Sequence, residues 1–403
     1  MNPRPWDYDS RALPTELHRH MEYHSTKKCC NYQLKARQTL TDYLFLFLLL
    51  YTALSLWYNL IMMASYNRIL ICRTDRIGDV LLTLPVITNL RLANEKAYIA
   101  FLGTEYSKKV LEDNPYLNEF IVYDPKGKHA GLGGLFRLTA EMRRAKFDTV
   151  LQVFPRFKVS LAAFLAGIPI RVGVSSRWYS FLYNKRAAIH RSKVEKHELE
   201  YNLDLLSSIS VPIKDKNIAL WLNRQDEIFA AEFIGKHGLS GKIVAVHPGG
   251  ADGMLGNWSL EKYARLIEAL REELKVKVIL IEGKGEDKVT KKLFELMQNP
   301  PPVLKGSADI KQLGAVLKKM SIFISKNTGT MHIAAAVKTP TISLFSPVYV
   351  VSEKRWGPWG NKAFVIKPKL ENCQKCTGNK CVHYNCLDMI SVAEILEKVK
   401  LFL

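Results

Sequence analysis

Short apolar runs alternate with amphipathic stretches along the chain from Arg68 onward. The apolar runs have the length of buried strands, and the stretches between them repeat apolar positions at helical spacing. This alternation predicts βαβ units and a parallel sheet. The first apolar run, RILICR, predicts the first strand. The stretch GDVLLTLPVITNLRL soon after it predicts a first helix that begins near Gly78 and Asp79 and that Pro85 bends. The first half of the chain thus contains the predicted strands RILICR, AYIAFLG, FIVYD, DTVLQVF and IRVGV, and the predicted helix LFRLTAEMRRA.

The same pattern begins again after a break at residues 211–240. Two such halves predict an α/β protein with two Rossmann-like domains facing a cleft, and ligands of such folds bind at the carboxyl ends of the strands. We assign residues 67–225 to the first domain, residues 226–403 to the second, and residues 1–66 to an N-terminal extension. The second half contains the predicted strands KIVAVHPGG, KVILIEG, IFISK and PTISLFS, and the predicted helices SLEKYARLIEALREEL and TGTMHIAAAV.

The N-terminal extension ends in a long apolar stretch, residues 43–67, which contains no charged residue. A helix of this length crosses the roughly 30 Å of a bilayer's hydrocarbon core. We therefore expect a transmembrane or membrane-associated helix at residues 43–66. Two alternatives stay open: the helix lies on the membrane or packs on the globular part, or translation begins at Met62 or Met63. Basic residues flank both ends of the stretch, so charge predicts no orientation.

The chain of 403 residues carries 58 Lys and Arg against 38 Asp and Glu, a net charge of +20. This composition is that of a globular protein and excludes collagen, coiled coil and wholesale disorder. Residues 126–200 hold 15 basic and 5 acidic residues, so +10 of the excess lies in the first domain. Such a field attracts a polyanion: nucleic acid, an anionic membrane surface or a phosphorylated substrate. No nucleic-acid-binding motif is present, and we expect no nucleic acid as a partner.

The loop after the first predicted strand, residues 73–79, contains one glycine and two carboxylates. Gly78 permits close approach of a ligand, and Asp79 either caps the following helix or acts as a general base in the cleft. The loop lacks a GxGxxG motif, so the pattern does not favour a dinucleotide oxidoreductase. Basic residues of this loop and of the charged field are candidates for contact with a phosphorylated acceptor: Arg73, Arg76, Arg156, Lys158 and Arg177.

Three segments of the second half are candidates for binding a donor substrate. A histidine and two glycines follow its first strand, and either contact a ligand or form an ordinary turn. A stretch of small residues starts the helix TGTMHIAAAV, whose N–H groups either bind a diphosphate or are capped in the usual way. A carboxylate in the loop GKGE suits ribose hydroxyls or belongs to a solvated loop. The candidate residues are His247, Gly249, Gly250, Glu286, Asn327, Thr328, Gly329 and His332.

Four of the seven cysteines lie close together, at Cys373, Cys376, Cys381 and Cys386. A CxxC start is common in tetrahedral zinc sites, and a structural zinc ion is one interpretation of the cluster. The spacing of the second pair is unusual for such a site, so ordinary or redox-active thiols are the alternative. Seven cysteines are too few for a disulfide scaffold, which favours a reducing compartment.

Four segments together resemble the heptosyltransferases of glycosyltransferase family 9, and the resemblance covers about residues 67–400. The resemblance implies a GT-B fold whose first domain binds the acceptor and whose second binds a nucleotide-sugar. It further implies inverting, metal-independent transfer of heptose from ADP-heptose to the inner core of lipopolysaccharide, with no cofactor required. The segments are ILICRTDRIGDVLLTLP, HPGG with Trp258, SKNTGTMHIAAAVKTPTISLFSP, and the cysteine cluster ending in CLDMISVAEI.

The resemblance also assigns roles to residues. Asp79 falls on the family's general base, and Thr328, Gly329 and His332 fall on its donor diphosphate site. It implies a protein at the cytoplasmic face of the bacterial inner membrane, peripheral or singly anchored. The partners would be a nucleotide-sugar and a phosphorylated lipopolysaccharide precursor at an anionic membrane surface, and we expect a monomer.

Two residues depart from the family's pattern. Many members carry a lysine just before the tryptophan, where this chain has Asn257, and an aspartate before Thr-Gly, where it has Asn327. We hypothesise that Lys284 or Lys326 supplies the missing cation. Two other functions stay open: transfer of another sugar or to another surface glycan within the family, and a catalytically silent glycan-binding protein on the same fold.

Overall fold

The computed structural model describes residues 66–249, 257–370 and 385–403, together with residues 52 and 376. The chain divides into two units, residues 1–64 and 65–403, and the elements below belong to the second. Almost all of the helix expected at residues 43–66 lies outside the described residues, as do Gly250, Cys373 and Cys381. In the described part of the chain, no helix is both long and apolar enough to cross a bilayer.

The first half folds around a six-stranded parallel sheet with the order β3-β2-β1-β4-β5-β6. Its strands are β1 (Arg68–Cys72), β2 (Tyr98–Gly103), β3 (Glu119–Val122), β4 (Thr149–Gln152), β5 (Ile170–Val174) and β6 (Lys185–Ala187). Its helices are α1 (Ile77–Leu81), α2 (Leu84–Ala93), α3 (Lys108–Leu111), α4 (Gly131–Arg144), α5 (Phe157–Leu165) and α6 (Glu198–Ser207).

The second half repeats this arrangement in the order β12-β11-β10-β7-β8-β9. Its strands are β7 (Ile243–His247), β8 (Lys277–Ile281), β9 (Val303–Leu304), β10 (Ile322–Lys326), β11 (Thr341–Leu344) and β12 (Ala363–Ile366). Its helices are α7 (Arg224–Lys236), α8 (Leu260–Glu272), α9 (Asp287–Glu295), α10 (Ile310–Lys318), α11 (Gly329–Ala336), α12 (Glu353–Trp356) and α13 (Val392–Lys400).

Both sheets therefore have Rossmann strand order, and their order reverses between β1 and β4 and between β7 and β10. At such a switch point the loops that follow the two central strands run to opposite faces of the sheet, which opens a crevice at their carboxyl ends. The loop after β1 leads into α1, and the loop after β10 leads into α11. These loops carry Asp79 and Thr328, the residues on which the resemblance places the base and the diphosphate site.

One apolar cluster joins the two halves below this crevice. It contains Ile71 and Val172 from the first sheet together with Ala245 and Phe323 from the second, all buried. A strand covered on both faces is apolar at successive positions, which explains why the central strands read as continuous apolar runs. This shared core places the two crevices opposite each other.

The first predicted helix is interrupted. It begins at Ile77, ends at Leu81 and gives way to a separate helix that starts at Leu84. Pro85 lies in the first turn of that second helix, where the missing N–H costs nothing, whereas a continuous helix would require it to donate to Leu81. The predicted bend is therefore a break, and it keeps α1 short.

The sequence pattern did not predict three of the strands: β6, β9 and β12. They are short, and each lies at the edge of its sheet, so their burial pattern is weak. The interval 211–240, where the pattern predicts a break between the halves, contains α7. The boundary at residues 225 and 226 stays a prediction.

Candidate active site

A cavity of about 780 Å³ lies where the two crevices face each other. Its walls come from both halves, so a ligand bound there contacts both domains at once. The sequence candidates among its lining residues are Arg76, Gly78, Asp79, His247, Lys284, Glu286, Asn327, Thr328, Gly329 and His332. Residues that the sequence did not single out also line it, including Tyr106, Lys109, Ser307 and Trp356.

Asp79 lies in the first turn of α1, but it does not cap this helix. The cap position belongs to Arg76, and no side chain closes it. The Asp79 carboxylate instead accepts from the buried guanidinium of Arg73, with 2.5 Å between Nη2 and Oδ1. The helix-cap interpretation of Asp79 is therefore wrong, because the helix begins two residues earlier and the carboxylate has a cationic partner.

The Arg73 guanidinium is only 2% exposed and binds four groups. Its position is set at the carboxyl end of β1, and its partners come from the following loop and from α6. The partners are Asp75, at 2.8 Å from Nε, Asp79, Asn202, at 2.9 Å from Nη1, and Glu198, at 3.3 Å. Contact of Arg73 with an acceptor stays a prediction, whereas its observed contacts are all internal.

Burial raises the pKa of Asp79 to about 6. Arg73 opposes this effect, and the neighbouring carboxylates of Asp75 and Glu198 reinforce it. The result is a carboxylate that is ionised near neutral pH and yet basic enough to take a proton. A general base works best with a pKa near the operating pH, so this environment suits Asp79 to that task.

Opposite Asp79, the start of α11 approaches the start of α1 closely. A Cβ atom added to Gly329 would lie 4.0 Å from the backbone nitrogen of Gly78, and one added to Gly78 would lie 2.6 Å from Cδ2 of His332. Glycine at position 78 is thus required by the His332 ring. Burial lowers the pKa of His332 to about 3, so the ring is neutral.

His332 also presents an unsatisfied polar atom. Its Nδ1 is buried and finds no hydrogen-bond partner among the described residues. A buried polar atom without a partner is costly. The N–H groups at the start of α11 lie on the same wall and mark it as a place for hydrogen-bonding ligand groups.

A chain of hydrogen bonds links the remaining donor candidates. His247 contacts Glu286 through Nε2 at 2.9 Å and Thr330 through Nδ1 at 3.0 Å, and Thr330 contacts Thr328 at 2.7 Å. A carboxylate only accepts, so His247 donates to Glu286 through Nε2. The chain fixes the Glu286 carboxylate relative to the start of α11.

Gly249 makes room for this carboxylate. A Cβ atom at position 249 would lie 2.0 Å from Oε2 of Glu286, so no other residue fits without displacing it. The backbone N–H of Gly283 also donates to Oε2, at 2.7 Å. Sequence analysis predicts these glycines as places where backbone meets ligand, whereas the structure shows a carboxylate of the protein itself beside Gly249.

The other basic candidates lie outside the cavity lining. Arg156 donates to the hydroxyl of Thr74 at 2.6 Å, and Lys158 donates to the carbonyls of His129 and Gly131 at the start of α4. Arg177 is exposed. Their contact with an acceptor stays a prediction.

Lys326 reaches the position where the family pattern has a lysine. Its ammonium donates to the side-chain oxygen of Asn257 at 3.0 Å. Lys284, the other hypothesised cation, lines the cavity. Asn327 lines it as well and donates to the carbonyl of Val351 at 3.1 Å.

Sequence reasoning missed Glu198 and Arg355. Both contact the network around Arg73, but they lie 125 and 282 positions along the chain from it, and neither belongs to a motif. They meet only because the tertiary fold brings side chains of α6 and α12 to the carboxyl end of β1. No local signal in the sequence could have found them.

The metal interpretation of the cysteines is untested. Cys376 and Cys386 are described, and the other two members of the cluster are not. Within the described residues, no group of three or more His, Cys, Asp or Glu could hold a metal ion. A structural zinc site stays a prediction.

Comparison with known proteins places this geometry in a family. The family model described as glycosyltransferase family 9 (heptosyltransferase) matches residues 135–386. Lipopolysaccharide heptosyltransferase 3 of Escherichia coli is 26% identical over 298 residues, which cover 70% of this chain and 84% of that protein.

Two solved structures share the fold. The glycosyl transferase family 9 protein from Veillonella parvula has a TM-score of 0.75 at 24% identity, covering 84% of this chain and 97% of that one. The ADP-heptose lipopolysaccharide heptosyltransferase II of E. coli has a TM-score of 0.66 at 19% identity, covering 83% and 98%. The predicted GT-B fold is therefore confirmed. Because the family model spans well over half of the chain, the protein belongs to glycosyltransferase family 9 and is a glycosyltransferase.

Proposed function

We propose that the protein transfers heptose, with inversion, from ADP-heptose to the inner core of a lipopolysaccharide precursor. The observation that carries this proposal is one cavity with Asp79 on one wall and the start of α11 on the other. The names of the E. coli relatives, which are lipopolysaccharide heptosyltransferases, support the choice of sugar and acceptor.

Inversion requires a single in-line displacement at the anomeric carbon. The acceptor hydroxyl attacks from the side of Asp79, whose carboxylate takes the hydroxyl proton as the new glycosidic bond forms. The bond from the anomeric carbon to the diphosphate breaks in the same step, and its electron pair stays on the leaving ADP. Arg73 remains paired with Asp79 in the ground state and keeps the carboxylate oriented.

The leaving ADP gains negative charge, which the second half must stabilise. The N–H groups at the start of α11 and the hydroxyls of Thr328 and Thr330 lie on that wall of the cavity. Fixed dipoles directed at developing charge lower the barrier without needing to reorganise. As the family resemblance implies, we propose that this step needs no metal ion or other cofactor.

Glu286 suits the ribose of the donor. Its carboxylate accepts hydrogen bonds, and vicinal hydroxyls are donors of matching geometry. His247 and the N–H of Gly283 both donate to one of its oxygens, which fixes the carboxylate in the cavity wall. This assignment gives His247 the role of orienting Glu286.

We infer that the protein works as a monomer at the cytoplasmic face of the bacterial inner membrane. An exposed apolar face on the first half supports the membrane contact in this inference: Trp178 is 74% exposed and Leu132 is 76% exposed. Trp178 packs on Phe157 at 4.9 Å between ring centroids, and the helices that carry Leu132 and Phe157 pack together. Exposed aromatic residues among cations are typical of surfaces that meet anionic lipid.

This apolar face lies beside the base-bearing loop. Arg156 precedes Phe157 in the chain and donates to Thr74, which lies next to Asp75. A lipid-linked acceptor entering from that side would reach Asp79 without crossing the protein. Leu132, Phe157 and Trp178 all belong to residues 126–200, the stretch that carries a net charge of +10.

Turnover with defined substrates tests the proposal. We expect transfer from ADP-heptose to a heptose-deficient lipopolysaccharide acceptor, and none from UDP-sugars or other ADP-sugars in the same panel. Asp79→Asn should lower kcat about 10²- to 10⁴-fold, the usual contribution of a general base, with ADP affinity retained. Asp204→Asn, which neutralises a half-buried carboxylate of α6 that pairs with Lys196, is the control. Use of a different nucleotide-sugar, or full activity of Asp79→Asn, would contradict the proposal.

The pH dependence of transfer follows from the raised pKa of Asp79. Above about pH 6 the carboxylate is ionised and accepts a proton, and below it the protonated acid cannot. We therefore expect kcat/KM to fall tenfold per pH unit as the pH drops below about 6. A profile that stays flat down to pH 4.5 would show that Asp79 is not the base.

The two hypothesised cations are tested by substitution. Replacing Lys284 and Lys326 together by alanine removes the positive charges that would stabilise the leaving diphosphate. We expect ADP affinity, measured by calorimetry, to fall about tenfold, equivalent to about 1.4 kcal/mol. Lys288→Ala, on the neighbouring helix α9, should leave it unchanged. Equal affinity and turnover in the double variant would refute the hypothesis.

Membrane contact is tested by amide hydrogen exchange of the full chain with vesicles. We expect vesicles containing phosphatidylglycerol to slow exchange at residues 131–137 and 176–182, and pure phosphatidylcholine vesicles to do so much less. Residues 386–403 also expose apolar side chains, Met389 and Leu401, and serve as the internal control. Vesicle binding without protection at the first two segments would show that another part of the chain makes the contact.

A further inference from the structure

A segment of the second half lies across the first half beside the active site. We call residues 349–359 the bridging segment; it includes α12. Its side chains and backbone make hydrogen bonds to three different parts of the first half. These are Tyr349 Oη to the Lys193 carbonyl at 2.5 Å, His197 Nε2 to the Gly357 carbonyl at 3.0 Å, and Trp359 Nε1 to the Lys216 carbonyl at 2.9 Å.

The bridging segment also forms an ion pair with a buried carboxylate of the first half. Arg355 of the bridging segment approaches Oε2 of Glu198 with Nη2 at 2.9 Å and Nε at 3.0 Å. The other oxygen of Glu198 lies 3.3 Å from the Arg73 guanidinium and 3.0 Å from Nε of Arg191. The Glu198 side chain is 2% exposed. One carboxylate thus joins a cation of the second half to the cation that holds Asp79.

The bridging segment also touches the donor wall of the cavity. Asn327, in the loop that begins α11, donates to the carbonyl of Val351 at 3.1 Å. Val351 and Trp356 themselves line the cavity. A continuous path of contacts therefore runs from Asn327 through the bridging segment to Glu198, Arg73 and Asp79.

We propose that the bridging segment couples the donor wall to the general base, with Arg355 and Glu198 as positioning residues that act on Asp79 through Arg73. The proposal rests on the proposed function for the role of Asp79, whereas the path of contacts is independent of it. Neither positioning residue touches the substrate. They hold Asp79 in position to act as a base only when the second half is packed against the first.

Electrostatic interactions explain how a change at Arg355 affects Asp79. Burial alone would raise the pKa of Glu198, but Arg191, Arg73 and Arg355 lower it below its ordinary value, so the carboxylate stays ionised. A buried charge that loses a partner is strongly destabilised and reorganises to recover one. If the second half moves away and takes Arg355 with it, Glu198 must draw more on Arg73, and the hold of Arg73 on Asp79 changes.

This coupling restricts catalysis to the state in which the two halves are together. A base that is assembled only with the halves together is not available to activate water when the cavity is open. Donor hydrolysis is suppressed in that state. Closure then supplies the diphosphate-binding wall and the positioned base in one movement.

The pH profile separates this role from a merely structural one. Charged groups around Asp79 are Arg73 and Asp75 from its own loop and Glu198 from α6, while His332 of α11 is neutral. Glu198→Gln removes a negative charge, so the acid limb of kcat should move to lower pH. Arg355→Met removes a positive charge, so the limb should move to higher pH. A loss of packing alone would not shift the limb in opposite directions.

Kinetics provide the matched comparison. We expect each variant to lower kcat at least tenfold at pH 7.5 while KM for the donor changes less than threefold, and Arg355→Lys to recover part of the loss. Asp113→Asn is the control, because Asp113 pairs with Lys311 between the same halves but has no contact with the Arg73 network. Equal kcat in wild type and Arg355→Met would overturn the proposal.

Hydrogen exchange of the ligand-free full chain keeps this test separate from the proposed function. Arg355→Met and Glu198→Gln should both speed exchange of the α1 amides, residues 77–83, and Asp113→Asn should not. If these amides exchange in Arg355→Met at the same rate as in the wild type, the proposed coupling is refuted, whichever sugar the protein transfers. Conversely, faster exchange in a protein that fails to use ADP-heptose would refute the proposed donor and leave the coupling standing.

Discussion

The buried guanidinium of Arg73 is the interaction on which the active site depends. It lies at the carboxyl end of the central strand β1 and holds Asp75, Asp79, Asn202 and Glu198 in one cluster. Burial alone would lower the pKa of Arg73, but the three carboxylates raise it above its ordinary value, so it remains a fixed cation. Taking such a charge out of water is tolerated only with nearly every donor satisfied.

The two walls of the cavity have different electrostatic properties. On the first half, burial raises the pKa of Asp79 to about 6, and the neighbouring carboxylates reinforce this effect while Arg73 opposes it. On the second half, an imidazole kept neutral by burial, a pair of threonine hydroxyls and a helix N-terminus face the cavity. One wall can take up a proton and the other can receive an anion, which are the two demands of glycosyl transfer to a hydroxyl.

Sequence reasoning anticipated most of the central strands, because they are buried on both faces and read as continuous apolar runs. It failed at the short edge strands, whose pattern is weak, and at the first helix, where it expected a bend and Pro85 enforces a break. It also left Asp79 undecided between helix cap and base. Asp79 and Gly78 lie in one short motif, whereas Glu198 and Arg355 belong to none, so only the former could be singled out.

Local periodicity and short motifs encode the fold class, the repeated α/β pattern and the segments that carry Asp79 and Thr328, so these follow from the sequence alone. Which charges meet depends on the tertiary fold. The pairing of Arg73 with Glu198, the contact of Arg355 with Glu198 across the halves and the approach of Lys326 to Asn257 all join residues that lie far apart in the chain. Electrostatic interaction depends on distance and burial in space, and spacing along the chain specifies neither.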